Sequence, residues 1–171
     1  MARHRGPVLV DTNIILECWR IGAWSALTGG YAVETVEDCV TETQTGFQRR
    51  RKEQQIDAAT LRASLARPPH SVTERELAEA LLRAQDIYLD VGERSLWAHA
   101  LTRTDAWVLC GPDRASLRYG VRVGCRERII ALEALLEGVG YSAKGGLERH
   151  FTTQWLNAIL SELVVHEERR S

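Results

Sequence analysis

Four acidic residues occupy positions where a carboxylate could do more than solvate a surface. Asp11 directly follows the apolar run "VLV" (8–10). Asp113 follows "AWVLC" (106–110) and a Gly111-Pro112 turn. Glu93 opens the helical stretch of "LDVGERSLWAHA", and Glu42 lies in "CVTETQTG", about two turns into a helix. Carboxylates gathered in one pocket repel each other and respond by taking up protons or by binding a divalent cation. Hard oxygens in that number suit Mg²⁺ or Mn²⁺, and the spacing of His and Cys residues offers no zinc site instead. A simpler reading exists for each acid alone. Asp at a helix start is a common N-cap, and Glu three residues after Asp90 closes a capping box. Glu42 sits inside its helix, where capping does not account for it but a solvated helix face does. Spacing alone does not bring the four together.

The elements that would have to position them are short strands alternating with helices. "PVLV" (7–10) reads as a buried strand. Helical spacing runs from Ile14 to Leu27 and ends at Gly29-Gly30. "YAVE" reads as a second strand. Thr35 is expected to cap the next helix, with Asp38 three residues on. That helix is predicted over Val36 to Glu53, turning polar at "RRRK" (49–52). "IDAATLRASLA" predicts another helix, stopped by Pro68-Pro69. Thr73 and Glu76 form a capping-box pattern before "LAEALLRAQDIYL". "AWVLC" reads as a buried strand. The helix after Asp113 is expected to break near Gly120, with "VRV" (121–123) as a last strand. "RIIALEALLEGVG" and "LERHFTTQWLNAILSELVVHE" read as two amphipathic helices joined by the turn "SAKGG". The second is predicted to present Phe151, Trp155, Ala158, Ile159, Leu163 and Val164 along one side. This alternation predicts an α/β class with a small parallel sheet. Residues just past the strand ends of such a sheet gather along one edge, where ligands of open α/β folds bind.

Taken in order, these stretches resemble the PIN-domain ribonucleases. "VLVDTNIILE" is similar to their opening strand and helix, "CVTETQTG" to the second acidic motif, "GERSLWAHA" to the third and "WVLCGPDRASL" to the fourth. The match runs from about residue 7 to 125. The resemblance implies a three-layer α/β/α fold over residues 1–125 with a small parallel sheet. Residues 126–171 are expected to form a helical extension packed on the same domain. It further implies a metal-dependent endoribonuclease, with many family members being toxins of toxin–antitoxin pairs (the VapC-like kind). Carried over, Asp11, Glu42, Glu93 and Asp113 are the metal-binding acids. Thr12 and Asn13 support them, Asn13 by hydrogen bonding, and Asp90 shares the third role. Glu37 or Glu34 replaces Glu42 if the second strand lies one turn off. Gly111-Pro112 departs from the family, where a hydroxyl residue is usual. The stretch from 54 to 88 and the tail after 125 exceed a minimal toxin. A catalytically idle PIN-like module that binds RNA or protein is the alternative.

Charge and composition narrow the partners. The 171 residues carry a formal net charge of −1, so the chain is no bulk polycation. Its basic residues are nearly all Arg, with Lys only at 52 and 144, and Arg forks onto phosphate. Arg49, Arg50, Arg51 and Lys52 flank Glu42. Arg114, Arg118 and Arg122 follow Asp113. Both groups are candidate phosphate contacts for single-stranded RNA. Four scattered cysteines are expected to be reduced and buried in a cytoplasmic protein. Trp19, Trp97 and Trp107 are expected in the core, and His99 is expected to be structural. No run spans a bilayer, and "MARHRGP" does not read as a secretory signal. The tail leaves a homodimer or an antitoxin contact as candidate partners.

Overall fold

A computed structural model describes residues 3–142 and 146–170. Strand β1 (Pro7–Val10) is central, flanked by β2 (Ala32–Glu34) and β3 (Val108–Cys110) in the order β2-β1-β3. All pairings are parallel, with Val8 opposite both Val33 and Val108. The apolar "VLV" run is explained by burial on both sides, as expected for a strand inside a parallel sheet. Val8 and Val10 face a cluster with Ile14, Ile15, Leu27, Leu132 and Leu135. Leu9 faces the opposite cluster, with Val36, Leu96, Trp97 and Leu109. The chain is therefore mixed α/β, with helices covering both faces of a small sheet.

Those helices are α1 (Thr12–Arg20), α2 (Trp24–Gly30), α3 (Glu37–Gln44), α4 (Ala58–Ser64), α5 (Glu74–Arg83), α6 (Val91–Thr102), α7 (Arg114–Arg122), α8 (Leu132–Gly138) and α9 (Thr153–Glu168). Both expected capping boxes form, Thr73 with Glu76 on α5 and Asp90 with Glu93 on α6. A side-chain oxygen at each N-cap takes an otherwise orphaned helix N–H, which fixes where the helix begins.

Several expectations change. The helix predicted from Ile14 to Leu27 is two helices, separated by a turn at Ile21–Ala23. The helix predicted over Val36–Glu53 ends at Gln44. Gly46 follows at φ 68°, a left-handed conformation that stops helices. "RRRK" therefore lies across two separate 3₁₀ turns, Phe47–Arg49 and Lys52–Gln54. Thr35 is not the cap of α3; its hydroxyl donates to Val10 O (2.7 Å) and ties β2 to β1. "VRV" is no strand, because α7 continues through Gly120 to Arg122. The next β3 partner is Ile129, by an isolated parallel bridge to Leu109, which shortens the predicted 128–140 helix to Leu132–Gly138. The α9 stripe is Leu156, Leu160 and Leu163, packed with Leu117 and Ala131. Trp155 and Ile159 are at its margin, and Ala158 is exposed. Most of the "SAKGG" turn, residues 143–145, lies outside the described residues. Cys18, Cys39 and Cys110 are buried and all four cysteines are free. Among the described residues no helix is long and apolar enough to cross a membrane.

Candidate active site

β1 and β3 end side by side, and the main-chain N–H of Asp11 donates to Cys110 O (3.3 Å). Asp11 thus starts α1 at the C-terminal edge of the sheet. Its Oδ1 accepts from Ile14 N (2.9 Å) and caps the helix. Its Oδ2 is buried without a hydrogen-bond partner among the described residues. Gly111 explains how that oxygen fits, since a Cβ there would lie 2.7 Å from it. Gly111, lacking a side chain, leaves room beside this carboxylate.

The same division of labour recurs at two other helix starts. Asp113 Oδ1 accepts from Ala115 N (2.7 Å) and Ser116 N (3.1 Å) at the start of α7. Asp90 Oδ1 accepts from Glu93 N (2.8 Å) at the start of α6, and Glu93 Oε2 accepts from Asp90 N (3.3 Å). Each aspartate caps its helix with one oxygen. Among the described residues no protein donor reaches the other. Capping and clustering, which read as rivals in the sequence, hold together here.

Glu42 joins this group from α3. Its Oε2 accepts from Thr12 Oγ1 (2.7 Å) and its Oε1 from Gly92 N (2.9 Å), so it bridges α1, α3 and α6. The open alternatives lie elsewhere. Glu37 is bound in bidentate fashion by Arg62 (2.6 and 2.7 Å). Glu34 is paired with Arg103 (2.6 Å). Thr12 carries the orienting bond to Glu42, whereas Asn13 is exposed and donates to none of the acids.

The electrostatics follow from burial and crowding. Asp11 is pushed up to about 7, chiefly by burial. The Ile14 N–H opposes that rise, while Asp90, Asp113 and Glu42 add to it. Glu93 is pushed up to about 8, again first by burial, then by Asp113, Asp90 and Asp11. The positive ends of α1, α6 and α7 favour anions here, yet desolvation and repulsion win at these two groups. A divalent cation would reverse that balance by favouring the deprotonated ligands. The donor chemistry, all carboxylate oxygen with one oxygen orphaned and buried, is of the kind Mg²⁺ or Mn²⁺ takes. The acids are not drawn together into a coordination shell: among the described residues no three of them bring an oxygen each within 4.8 Å of one another, so sharing one ion requires them to move closer.

A second group was not legible from spacing. His70, Glu76 and His99 bring one ligand-type atom each within 4.8 Å. The rings of His70 and His99 stack at 4.1 Å. Here most of the ligand atoms are already hydrogen-bonded, with His99 Nδ1 buried and without a partner among the described residues. Glu76 closes the capping box and reaches His70 Nε2 (3.1 Å). Arg103 Nη1 donates to His99 Nε2 (3.0 Å), placing a fixed cation against the ring. Burial, followed by His70 and Arg103, pushes His99 down to about 4, so it stays neutral. The arrangement reads as structural.

The basic residues divide as well. Arg50 donates to the carbonyls of Glu42 (2.6 Å) and Thr43, closing the end of α3. Arg49, Arg51 and Lys52 are exposed, with no ion pair among the described residues. Arg114 pairs with Glu162, and Arg118 and Arg122 with Glu167 and Asp86, so this patch meets α9. No protein-family model, curated protein or solved structure matches this chain.

Proposed function

We propose that the protein is a divalent-metal-dependent endoribonuclease that hydrolyses single-stranded RNA at the acid pocket, in a PIN-like arrangement. The observation that supports this best is the convergence of Asp11, Glu42, Asp90, Glu93 and Asp113 from four helices onto one edge of the sheet. Asp11 and Glu93 are disfavoured as anions there. Structural caps alone do not require this crowding.

In this reading Asp11, Glu42, Glu93 and Asp113, drawn closer than they stand without the ion, would hold Mg²⁺ or Mn²⁺, with Asp90 beside them. A metal held there would lower the pKa of a bound water and neutralise charge on the scissile phosphate. The chain's own contribution is positioning. Thr12 Oγ1 and the Gly92 N–H fix both oxygens of Glu42. The cap bonds fix one oxygen each of Asp11, Asp90 and Asp113 and leave the other available. The expected products carry a 5′-phosphate and a 3′-hydroxyl. The test is cleavage of an end-labelled single-stranded RNA in Mg²⁺, in Mn²⁺ and in EDTA. Metal-dependent cleavage supports the reading. Metal binding with intact RNA would favour the idle module instead.

Metal and pH are linked to stability through the same pocket. Asp11 and Glu93 bind protons more tightly folded than unfolded, where they ionise near 4. The folded state then holds more protons between about pH 4 and 8, so metal-free stability falls as pH rises through that window. Millimolar Mg²⁺ or Mn²⁺ is expected to raise Tm most at the upper end and least near pH 4. Differential scanning fluorimetry across pH, with and without metal, checks this. A Tm that does not respond to metal at pH 8 would contradict it.

A further inference from the structure

Beside the acid pocket, the link between α5 and α6 leaves an apolar recess of about 200 Å³. Its floor includes Ala80, Ala84, Ile87 and Tyr119, all buried. Tyr88 and Arg94 stand in its wall. Tyr88 is 84% exposed, the most exposed large apolar side chain among the described residues. It lies two residues before Asp90, and Arg94 directly follows Glu93. The segment 88–94 therefore contributes to the recess and to the acid pocket at once.

The charge on the far rim is also informative. Asp86 lines the recess and is approached by Arg118 (3.5 Å), Arg122 (2.9 Å) and Arg170 (2.9 Å). Glu167 is the second carboxylate of that cluster, shared by Arg118 and Arg122. Arg118, Arg122 and Arg170 are thus committed to Asp86 and Glu167, and Arg94, which forms no ion pair among the described residues, is the cation the recess itself offers.

We propose that the recess is a nucleobase subsite in which Tyr88 stacks one unpaired base of the bound strand and Arg94 contacts a neighbouring phosphate. This rests on the ribonuclease reading of the acid pocket and adds to it a place for the strand beside the scissile bond. Aromatic stacking is tolerant of base identity and contributes strongly to single-strand binding. Arg matches phosphate with charge-assisted bonds. The recess is smaller than the usual 300–1,000 Å³ range of small-molecule sites, which suits a single ring system. Arg94, a cation without an ion pair among the described residues beside an exposed aromatic ring, suits a nucleic-acid strand, while exposed Leu81, Leu82 and Val91 nearby make a protein face the outcome to test against.

The experiment measures fluorescence anisotropy of a labelled single-stranded RNA with the full chain in EDTA, for wild type, Tyr88→Ala and Tyr88→Phe. Tyr88→Ala is expected to weaken binding about tenfold and Tyr88→Phe to bind like wild type, because the ring is retained. Placing an abasic site at each position in turn is expected to cost wild type a similar factor at one position and to cost Tyr88→Ala little there. In cleavage assays Tyr88→Ala is expected to raise KM while kcat is kept. Equal binding by wild type and Tyr88→Ala, no sensitive abasic position, or no RNA binding at all would overturn the subsite. A wild-type dimer that Tyr88→Ala dissociates, with RNA binding unchanged, would overturn it in favour of a protein interface. Failure of the nuclease reading looks different: no metal-dependent cleavage, while Tyr88-dependent binding persists.

Discussion

Asp11→Asn is expected to lower metal-dependent cleavage at least about 100-fold while leaving the metal-free Tm unchanged or higher. Asn caps a helix about as well as Asp, so the bond to Ile14 N (2.9 Å) survives the change. What disappears is the anion that would face a cation. Loss of outer-shell partners alone costs 10–100-fold in metal affinity or activity, and this carboxylate is a direct ligand in the proposed site. Removing it also relieves repulsion with Asp90, Asp113 and Glu42, which accounts for the retained or raised stability. Asp11→Ala would additionally lose the cap, at about 0.5–2 kcal/mol. Single-turnover cleavage alongside thermal melts of both variants separates the two roles. If Asp11→Asn cleaves like wild type, Asp11 is a cap and nothing more.

The largest stability loss is expected at Trp97. Its side chain is fully buried on α6, the helix that starts with the Asp90–Glu93 pair. It packs against Tyr119 (centroids 5.5 Å apart) and edge-on to Trp107 (6.3 Å). Its Nε1–H donates to Ser116 Oγ (2.8 Å) on α7, one turn from Asp113. Truncating a buried Trp to Ala costs about 3–5 kcal/mol, or roughly 10 °C in Tm for a domain of this size. Ser116 would also lose its donor. Trp97→Phe keeps most of the volume and is expected to lose less than half as much. Urea denaturation of both variants measures this, and a Trp97→Ala loss below about 1 kcal/mol would show that α6 and α7 are held mainly by other contacts.

Trp97 also shows why the sequence mispredicted part of the fold. Gly120 looks like a helix breaker in isolation. In the structure it is the place where α7 passes the Trp97 ring, and a Cβ there would lie 2.7 Å from that ring. The glycine answers a long-range contact that local spacing does not reveal. The same holds for Ile129, whose pairing with Leu109 depends on a neighbour twenty residues away. Features with local causes were readable: the burial of "VLV", the capping boxes of α5 and α6, and the burial of Cys18, Cys39 and Cys110. The acids fell in between. Their identities at helix starts were visible, but an N-cap and a metal ligand look alike until it is clear which oxygen is free. Glu42 stood out because capping did not explain it, and its bonds to Thr12 and Gly92 place it with the others. The Arg114–Arg122 stretch looked like open phosphate contacts, and its pairing with α9 needed the tail to be placed first.

The cluster around Asp86 has a consequence for how the chain matures. Arg170 Nη2 donates to Asp86 Oδ2 (2.9 Å), a contact across 84 positions of sequence. Asp86 stands four residues ahead of Asp90, in the stretch that leads to the acid pocket. During synthesis from the N-terminus, that stretch acquires its full set of anchors only after Arg170 has left the ribosome tunnel. The segment just past α9 therefore adds its contact to that border last, after Arg122 and Arg118 have already engaged Asp86.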